Sequence, residues 1–319
     1  MTKHIMFPPM ENGLDYLKSV IEHLRGEPDE RDLKYAVLHL QAAVEVLLKA
    51  RLIRQDWSLV VKGAVNHQAF KTGNFKSIDL KDTLVCLTNI DVEVPKPTQE
   101  KFHQLADRRN KLQHFGLEAQ AIGIENLAGQ VLDGLLCFIR DHLRPGAPPK
   151  DELLLDQAQD LIREEIERIT TLVNARLTRI EPELADRADA IVRCPDCQHD
   201  ALSIEHQDLR CRFCDRIFEP DDAAYEYAET VLGLDIPPPG HTGDDPLLPC
   251  LDCGAQTLVW GATVRSDPNA PVWVCFNCGW VDSNRKIGGC LRCGELMLDT
   301  DDGPPFCETC MSDIADPDF

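Results

Sequence analysis

Twelve of the fourteen cysteines in this sequence fall in pairs whose members are separated by two residues. This spacing lets both thiolates of a tight turn face one metal ion while backbone amides donate to the sulfurs. Taken in order, the pairs form three groups of four, with 13, 21 and 13 residues between the two pairs of a group. The groups are Cys194, Cys197, Cys211 and Cys214; Cys250, Cys253, Cys275 and Cys278; and Cys290, Cys293, Cys307 and Cys310. The two remaining cysteines, Cys86 and Cys137, lie on apolar helical faces and are expected to fill the core.

Four thiolates complete a tetrahedron with no open position, so we predict three structural Zn²⁺ sites and no catalytic metal. Disulfides are disfavoured because the N-terminus lacks the apolar region of a secretion signal. Redox chemistry would need a thioredoxin-like strand–helix context, which is missing, and iron–sulfur clusters share the ligand type but not this paired spacing.

The cysteine-rich stretch resembles tandem zinc ribbons, most clearly over residues 250–278, where Val272-Trp273-Val274 leads into the second pair. Each ribbon is too small for its own core, so metal binding is expected to supply about 10 kcal/mol of folding free energy per site. We expect the three sites to fold separately. Glycine follows the second cysteine of three pairs, where such turns need a positive φ; these are Gly254, Gly279 and Gly294.

A second group of polar residues lies near the end of a helix predicted over about 98–115. At 100° per residue, Arg109 falls inside an apolar stripe that includes Phe102 and Leu105, and a guanidinium on a buried face needs a partner or a purpose. Another face carries His103, Asp107, Asn110 and His114. Phe115-Gly116 is typical of a helix end, where the helix dipole favours protonated His114.

The segment Arg109-Asn110-x-x-x-His114 is similar to the Arg-polar-x3-His motif of the HEPN superfamily, and residues 39–50 resemble the helix that precedes this motif there. The resemblance covers about residues 28–144 and excludes the ribbons. It implies a helix bundle with metal-independent endoribonuclease activity at a dimer interface. We therefore expect a homodimer that binds RNA through its N-terminal half. A role as a toxin or phage-defence effector is also implied by the resemblance.

The residue types suit this chemistry, in which the 2′-OH of RNA attacks the adjacent phosphorus. Arg109 can stabilise the charge of the phosphorane, His114 can transfer a proton at the 2′ or 5′ oxygen, and Asn110 can orient either group. Glu45, His103 and Asp107 are candidate supporting residues. On one straight helix Arg109 and His114 point about 140° apart, so a site shared between two copies, or a broken last turn, would bring them together.

Other interpretations stay open for these residues. Arg109 could simply pair with Glu45, and His114 could cap a helix. HEPN domains also occur as non-catalytic nucleotide-binding or scaffolding modules, here with a zinc-ribbon interaction domain. An unrelated helical adaptor is the remaining alternative.

The elements that must position these groups define a multidomain chain of α-helices and small β units. Apolar residues at helical spacing, without strand alternation, predict a HEPN-like helix bundle over 1–144, with helices at about 14–26, 29–54, 77–90, 98–115 and 124–143. A charged connector over 150–190 contains one long helix at about 151–180, whose apolar row either packs on its own bundle or forms a dimer seam. The ribbons are predicted at 191–220, 247–285 and 286–319, the last with an acidic tail, and a short helix and Pro-rich linker occupy 221–246.

The net charge of −21 is confined to the second half of the chain. Residues 1–144 hold 19 Lys/Arg and 19 Asp/Glu, whereas residues 145–319 hold 14 and 35, and 14 − 35 = −21. An acidic surface repels phosphate, so RNA contact is assigned to the first half. Arg210, Arg212 and Arg216 cluster around the first cysteine group, but protein docking is the favoured role of the acidic ribbons.

No run of about 18 uncharged apolar residues occurs. The most apolar run by inspection, Tyr35–Leu48, is interrupted by His39, Gln41 and Glu45. Since no secretion signal is recognised either, we expect a cytoplasmic protein without a membrane span.

Overall fold

The chain forms two compact units, Met1–Arg179 and Ile180–Phe319, in a computed structural model. The structure describes residues 5, 7–205, 209–234, 247–282, 286–293, 296–299 and 306–315. Over these residues the first unit is helical, and the second contains a small antiparallel sheet and the three cysteine groups. The predicted division into a helical N-terminal part and a cysteine-rich part with small β elements is confirmed at this level.

Several helices of the first unit begin at residues that favour a helix start. The helices are α1 Pro9–Leu24, α2 Glu30–Gln55, α3 His67–Lys71, α4 Leu80–Thr88, α5 Lys96–His114, α6 Ala121–Phe138, α7 Pro149–Glu165 and α8 Thr170–Asp186. Pro9 occupies the first turn of α1, where its missing N–H costs no hydrogen bond. Asp29 and Asp32 form a reciprocal capping box at the start of α2, with the Asp32 amide donating to Asp29 Oδ1 at 2.8 Å.

The core of the first unit is built around α2, which contacts α1, α4, α5 and α6. Leu40, Leu47 and Leu48 of α2 are fully buried. Close packing of α1 on α2 requires glycine at position 13, because a Cβ there would lie 2.5 Å from Leu47 Cγ. The apolar stripe of α5 joins the same core through Phe102, so the buried face predicted for this helix is confirmed.

The most apolar helix of the described chain is α6 rather than the segment 35–48 that inspection singled out. By length and composition alone, Ala121–Leu143 could cross a membrane. In the folded unit, however, α6 packs against α2 and α5 and carries a buried carboxylate, Asp133. The Nε atoms of Arg176 and Arg179 donate to its two oxygens at 2.9 and 2.6 Å. These are the surroundings of a core helix.

The prediction of one long helix over 151–180 is wrong, because α7 and α8 are separate helices. A single 3-10 turn follows α7, and Ile169 leaves the helical conformation with φ −110° and ψ 82°. Ile166 and Ile169 are both buried at the break, and the Arg168 carbonyl accepts a hydrogen bond from the Gly26 amide at 2.8 Å. Burial against the rest of the unit therefore interrupts a helix that periodicity alone would continue. Since α7 packs on α1, its part of the apolar row is covered within one copy.

The second unit contains a five-stranded antiparallel sheet in the order β2-β1-β3-β4-β5 and a separate hairpin, β6-β7. Its elements are β1 Ile191–Arg193, β2 Asp200–Ser203, α9 Pro220–Thr230, β3 Leu258–Val264, β4 Asp267–Cys275, β5 Val281–Asp282, β6 Lys286–Gly289, β7 Leu296–Asp299 and α10 Glu308–Ala315. The strand predicted before the second cysteine pair lies in β4, which runs directly into Cys275.

The first and second cysteine groups belong to one continuous sheet, which argues against separate folding of this pair, and the expectation that every site folds separately stays a prediction. Val192 of β1 is paired with Val264 of β3, which joins the hairpin of the first group to that of the second. Tyr227 of α9 and Phe276 also meet, with ring centroids 5.1 Å apart. These contacts join residues far apart in sequence, which the local spacing of cysteines cannot reveal.

Candidate functional site

Each four-cysteine group brings its sulfurs together around one point. Within every group, the four Sγ atoms lie within 4.8 Å of one another. Two sulfur pairs in the first group are 3.6 and 3.9 Å apart, two in the second are 3.7 and 3.8 Å apart, and one in the third is 3.7 Å apart. A tetrahedral ion with metal–sulfur bonds of about 2.3 Å needs sulfur separations of about 3.8 Å. The predicted grouping of consecutive cysteine pairs is confirmed.

In each group hydrogen bonds lower the pKa of at least one cysteine, whereas the pKa of others is raised, that of Cys211 by its neighbouring thiols and that of Cys250 by burial. Amides of Cys293 and Cys307 lower the pKa of Cys290 to about 6. Partial burial opposes ionisation of Cys253, but a hydrogen bond from the Asn277 side chain helps to lower its pKa to about 7. In the first group, hydrogen bonds from the neighbouring thiols lower the pKa of Cys194. A divalent cation would stabilise all four thiolates of such a group at once.

Two polar neighbours of the second group were missed from the sequence. Thr257 Oγ1 lies 3.3 Å from Cys275 Sγ, and Asn277 Nδ2 donates to Cys253 Sγ at 3.4 Å. Asn277 stands between the cysteines of a pair, so its position in the turn was the available signal. Thr257 precedes Cys275 by 18 positions and reaches it only through the β3–β4 pairing.

The turns themselves agree with the predicted role of glycine. Gly254 and Gly279 have φ of +73° and +75°, and their amides donate to the carbonyls of Cys250 and Cys275. Positive φ at these positions is therefore confirmed, while Gly294 lies outside the described residues. The first group is the most enclosed, with all four cysteines buried, whereas Cys253 and Cys293 are exposed.

The arginines around the first group are all engaged with acidic side chains. Arg210 pairs with Asp215 at 2.8 Å, Arg212 with Glu183 at 3.1 Å and Arg216 with Glu226 at 2.6 Å. Their charges are thus compensated within the second unit. This arrangement favours a structural role for the three arginines over contact with a phosphate backbone.

Arg109 is held by side chains of α2 and of its own helix. Its Nη2 donates to Glu45 Oε1 at 3.0 Å, and its Nη1 donates to Gln113 Oε1 at 3.0 Å. Gln41, which is buried, donates to the same Glu45 oxygen at 3.0 Å, and Lys49 Nζ lies 3.8 Å from the other. The pairing of Arg109 with Glu45, one of the alternatives from the sequence, is present. Gln41 and Lys49 were missed as members of this cluster, although both lie one helical turn from Glu45.

His114 occupies the last turn of α5, as its position before Phe115-Gly116 predicted. Its side chain is exposed, and its ring lies beside the Phe115 ring, with centroids 6.4 Å apart. Phe115 itself is 94% exposed. Asn110, His103 and Asp107 are exposed on the same helix.

The structure does not bring Arg109 and His114 together within one copy. Helix α5 continues without a break to His114, so the two side chains keep the separation of about 140° that helical geometry gives. Arg109 points to Glu45, and His114 faces solvent. The last turn of α5 is not broken, so it does not bring Arg109 and His114 together. Of the two arrangements considered from the sequence, only a site shared between two copies of the chain remains.

Comparison with protein-family models, with curated proteins and with solved structures finds no match for this chain. The class of protein that the fold and sites define is therefore a helical unit joined to a unit with three four-cysteine metal sites.

Proposed function

We propose that each cysteine group binds one Zn²⁺ ion in a structural role. The observation that carries this proposal is the sulfur spacing of 3.6–3.9 Å, which suits a single tetrahedral ion. The ions would add folding free energy to units that are otherwise small. Protein thiolates fill all four positions, which leaves no position for a substrate.

Elemental analysis of the purified full chain tests the metal. We expect three zinc ions per chain, and substitution of Cys137, which lies outside the groups, should leave all three in place. Iron in place of zinc, or two or fewer ions in the intact protein, would overturn the assignment.

We further propose that the helical unit cleaves RNA at a site that two copies of the chain complete. The observation that carries this proposal is the exposed end of α5, where Asn110, His114 and Phe115 face solvent one turn from Arg109. An apolar ring that is 94% exposed beside a histidine is a surface that a second copy could cover. Such contact would place His114 of one copy near Arg109 of the other.

In this proposal the chemistry needs no metal. The 2′-OH of RNA attacks the adjacent phosphorus, and the bond to the 5′ oxygen of the next nucleotide breaks, which leaves a 2′,3′-cyclic phosphate and a 5′-hydroxyl. His114 moves a proton from the 2′-OH or to the leaving 5′ oxygen. Arg109 stabilises the charge that develops on the phosphorane, and Asn110 orients one of the reacting groups. Glu45 holds Arg109 until a substrate phosphate competes for the guanidinium.

The full chain, incubated with labelled single-stranded RNA in a buffer with EDTA, tests the activity. The zinc content is measured afterwards to establish that the chelator left the ribbons intact. Arg109→Ala and His114→Ala should each lower the rate by about 100-fold or more, the usual scale for losing a proton-transfer or charge-stabilising group. His103→Ala is the matched control, because His103 is also an exposed histidine of α5. Equal and negligible cleavage by all four proteins would refute the enzyme.

Light scattering tests the shared site separately. We expect a homodimer at micromolar concentration, and Phe115→Ser should shift it toward the monomer. A monomeric wild-type chain that still cleaves RNA would overturn the two-copy arrangement.

A second candidate is a non-catalytic RNA-binding or scaffolding module. It is favoured by the complete set of partners that Arg109 has within one copy, which explains the residue without any reaction. In this case Arg109→Ala should lower the stability of the helical unit, while neither the variant nor the wild type cleaves RNA. In both candidates the acidic second unit is proposed to dock a protein partner, since its clustered arginines are already paired.

A further inference from the structure

The segment between α2 and α4, residues 57–78, has an unusual composition for this chain. It contains three lysines, four aromatic or imidazole rings and no Asp or Glu. The lysines are Lys62, Lys71 and Lys76, and the rings are Trp57, His67, Phe70 and Phe75. The rest of residues 1–144 therefore carries more acidic than basic side chains, because the two are equal over the whole range.

Hydrogen bonds between its two ends close this segment into a compact loop. Val61 and Ser77 form an antiparallel bridge, the Lys62 amide donates to the Lys76 carbonyl at 2.8 Å, and the Ile78 amide donates to the Val60 carbonyl at 3.1 Å. Such closed surface loops, packed by their own side chains, are frequently functional. We call residues 57–78 the aromatic loop.

The rings of the aromatic loop contact one another and remain accessible. Trp57 lies 5.1 Å from both His67 and Phe70 between ring centroids, and Phe70 lies 5.2 Å from Phe75. His67 and Phe70 are nearly parallel, with 12° between their planes. Trp57, Phe70 and Phe75 are only partly buried, and His67 is exposed. A set of connected, half-exposed rings offers flat faces to a ligand.

Two of the three lysines are free to contact an anion. Lys71 and Lys76 are exposed, and in the described part of the chain neither ammonium group has an ion-pair partner. Lys62 differs, because its Nζ lies 3.7 Å from Asp79 and 3.5 Å from Asp82, so its charge is offset. Lys71 and Lys76 are therefore the two ammonium groups of the segment that a phosphate could contact.

We propose that the aromatic loop binds single-stranded RNA, with bases stacked on its rings and phosphates near Lys71 and Lys76. Aromatic faces beside unpaired basic groups are the combination by which proteins hold single strands without reading their sequence. Flat, connected rings favour this ligand over an acidic peptide, which would use the lysines but not the stacking faces. The inference deepens the proposed function, on which it rests for the identity of the nucleic acid.

A chain of contacts connects the aromatic loop to the cluster around Arg109. Lys49 Nζ donates to Ser77 Oγ at 3.2 Å and lies 3.8 Å from Glu45, which accepts the hydrogen bond from Arg109. The loop is thus linked through Lys49 and Glu45 to Arg109, one of the residues proposed to act on the RNA. Neither the lysines nor the rings contact Arg109 directly, so binding and cleavage can be tested apart.

The test measures binding of the full chain to a probe that cannot be cleaved, a fluorescein-labelled 2′-O-methyl oligouridine of about twelve nucleotides, within the usual site size. The double variant Lys71→Glu/Lys76→Glu should bind about tenfold more weakly or worse, and loss of two phosphate contacts should lower the slope of log K against log salt by about 1.4. Lys18→Glu/Lys34→Glu, an equal change in net charge at exposed lysines of α1 and α2, should leave binding nearly unchanged. His67→Ala should weaken binding about fivefold or more through lost stacking.

If the two double variants weaken binding equally, binding depends on net charge alone and the proposal is overturned. It is also overturned if neither double variant weakens binding. Tighter binding of a labelled polyglutamate peptide than of the oligonucleotide would also overturn it, in favour of a protein ligand. Circular dichroism of each variant establishes that the helices are intact. Because the probe lacks a free 2′-OH, the result stands whether or not Arg109 and His114 catalyse a reaction. Loop-dependent binding of the probe together with negligible cleavage of ordinary RNA by the wild type and every variant would reject the proposed enzyme but not the proposed binding site.

Discussion

Replacing Gly279 by alanine tests whether the first two metal sites share one folded structure. Gly279 follows the last cysteine of the second group and packs directly on the first, where a Cβ would lie 2.3 Å from the Ile204 carbonyl oxygen. Gly254 is the matched control. It holds the same position in the other turn of the second group, with a similar φ of +73°, but a Cβ there meets no atom within 4 Å.

The structure sets the expected difference between these two variants. Alanine in the left-handed region costs about 1–2 kcal/mol at either position. Gly279→Ala also forces the Ile204 carbonyl to retreat by at least 0.7 Å, from 2.3 Å to the 3.0 Å that real contacts respect. Overpacking of this kind costs about 1–3 kcal/mol. That extra cost falls on the β1–β2 side of the sheet, because the Ile204 amide also donates to Ala190.

Hydrogen exchange of the amides over 200–204 is the direct measurement. These residues belong to β2 and to the segment that follows it. Strand β2 pairs with β1 and not with a strand of the second group. The extra 1–3 kcal/mol corresponds to roughly 5- to 150-fold faster exchange in Gly279→Ala than in Gly254→Ala. Both variants should retain three zinc ions, since neither removes a ligand. Equal exchange over 200–204 in the two variants would refute the shared sheet as an energetic unit.

The other predictions concern the helical unit and its buried carboxylate. Asp133→Ala should destabilise the unit by about 3–5 kcal/mol in urea unfolding followed by helical circular dichroism, because it removes the buried carboxylate to which Arg176 and Arg179 both donate; an effect below about 1 kcal/mol would contradict this. Burial acts to raise the pKa of Asp133, but Arg179 and Arg176 outweigh it and hold the pKa below its ordinary value. The contribution of Asp133 to the free energy of unfolding is fully present above about pH 3.9, its pKa in the unfolded chain, and is lost as the pH falls through its lower pKa in the folded chain. Asp133→Asn should therefore make the free energy of unfolding depend less on pH in this acid range. A fragment of residues 1–144 lacks both arginines and should melt at a lower temperature than a fragment of residues 1–179, and equal melting would show that α8 is dispensable.

Local spacing was sufficient to predict the cysteine groups and most helices. Two residues between cysteines fix their geometry within one turn, so consecutive pairing required no knowledge of the rest of the fold. The end of α5 was equally predictable, because Phe115 and Gly116 terminate a helix by their own conformational preferences, and Gly116 has φ +91°.

Features that depend on distant partners could not be predicted in this way. The break between α7 and α8 follows from burial of Ile166 and Ile169, although the spacing of apolar residues continues through it. The junction between Gly279 and Ile204 joins two groups that look independent in sequence. The aromatic loop was missed because its rings are irregularly spaced and meet only after the ends of the loop have paired.

Two arginine–carboxylate pairs of the helical unit, Arg176–Asp133 and Arg109–Glu45, differ in how strongly they hold the guanidinium. Arg176 and Asp133 are 6% and 5% exposed, so removing either partner would break an ion pair in the core, where such a loss is costly. Arg109 and Glu45 are 26% and 30% exposed, and pairs with this much solvent contribute about 0–1 kcal/mol. A phosphate that accepts two hydrogen bonds from the guanidinium can match that contribution. Glu45 therefore holds Arg109 in place through a pair that is weak enough for a phosphate to replace, whereas Asp133 binds Arg176 in the core. Of the two arginines, only Arg109 lies on α5, the helix that also presents His114.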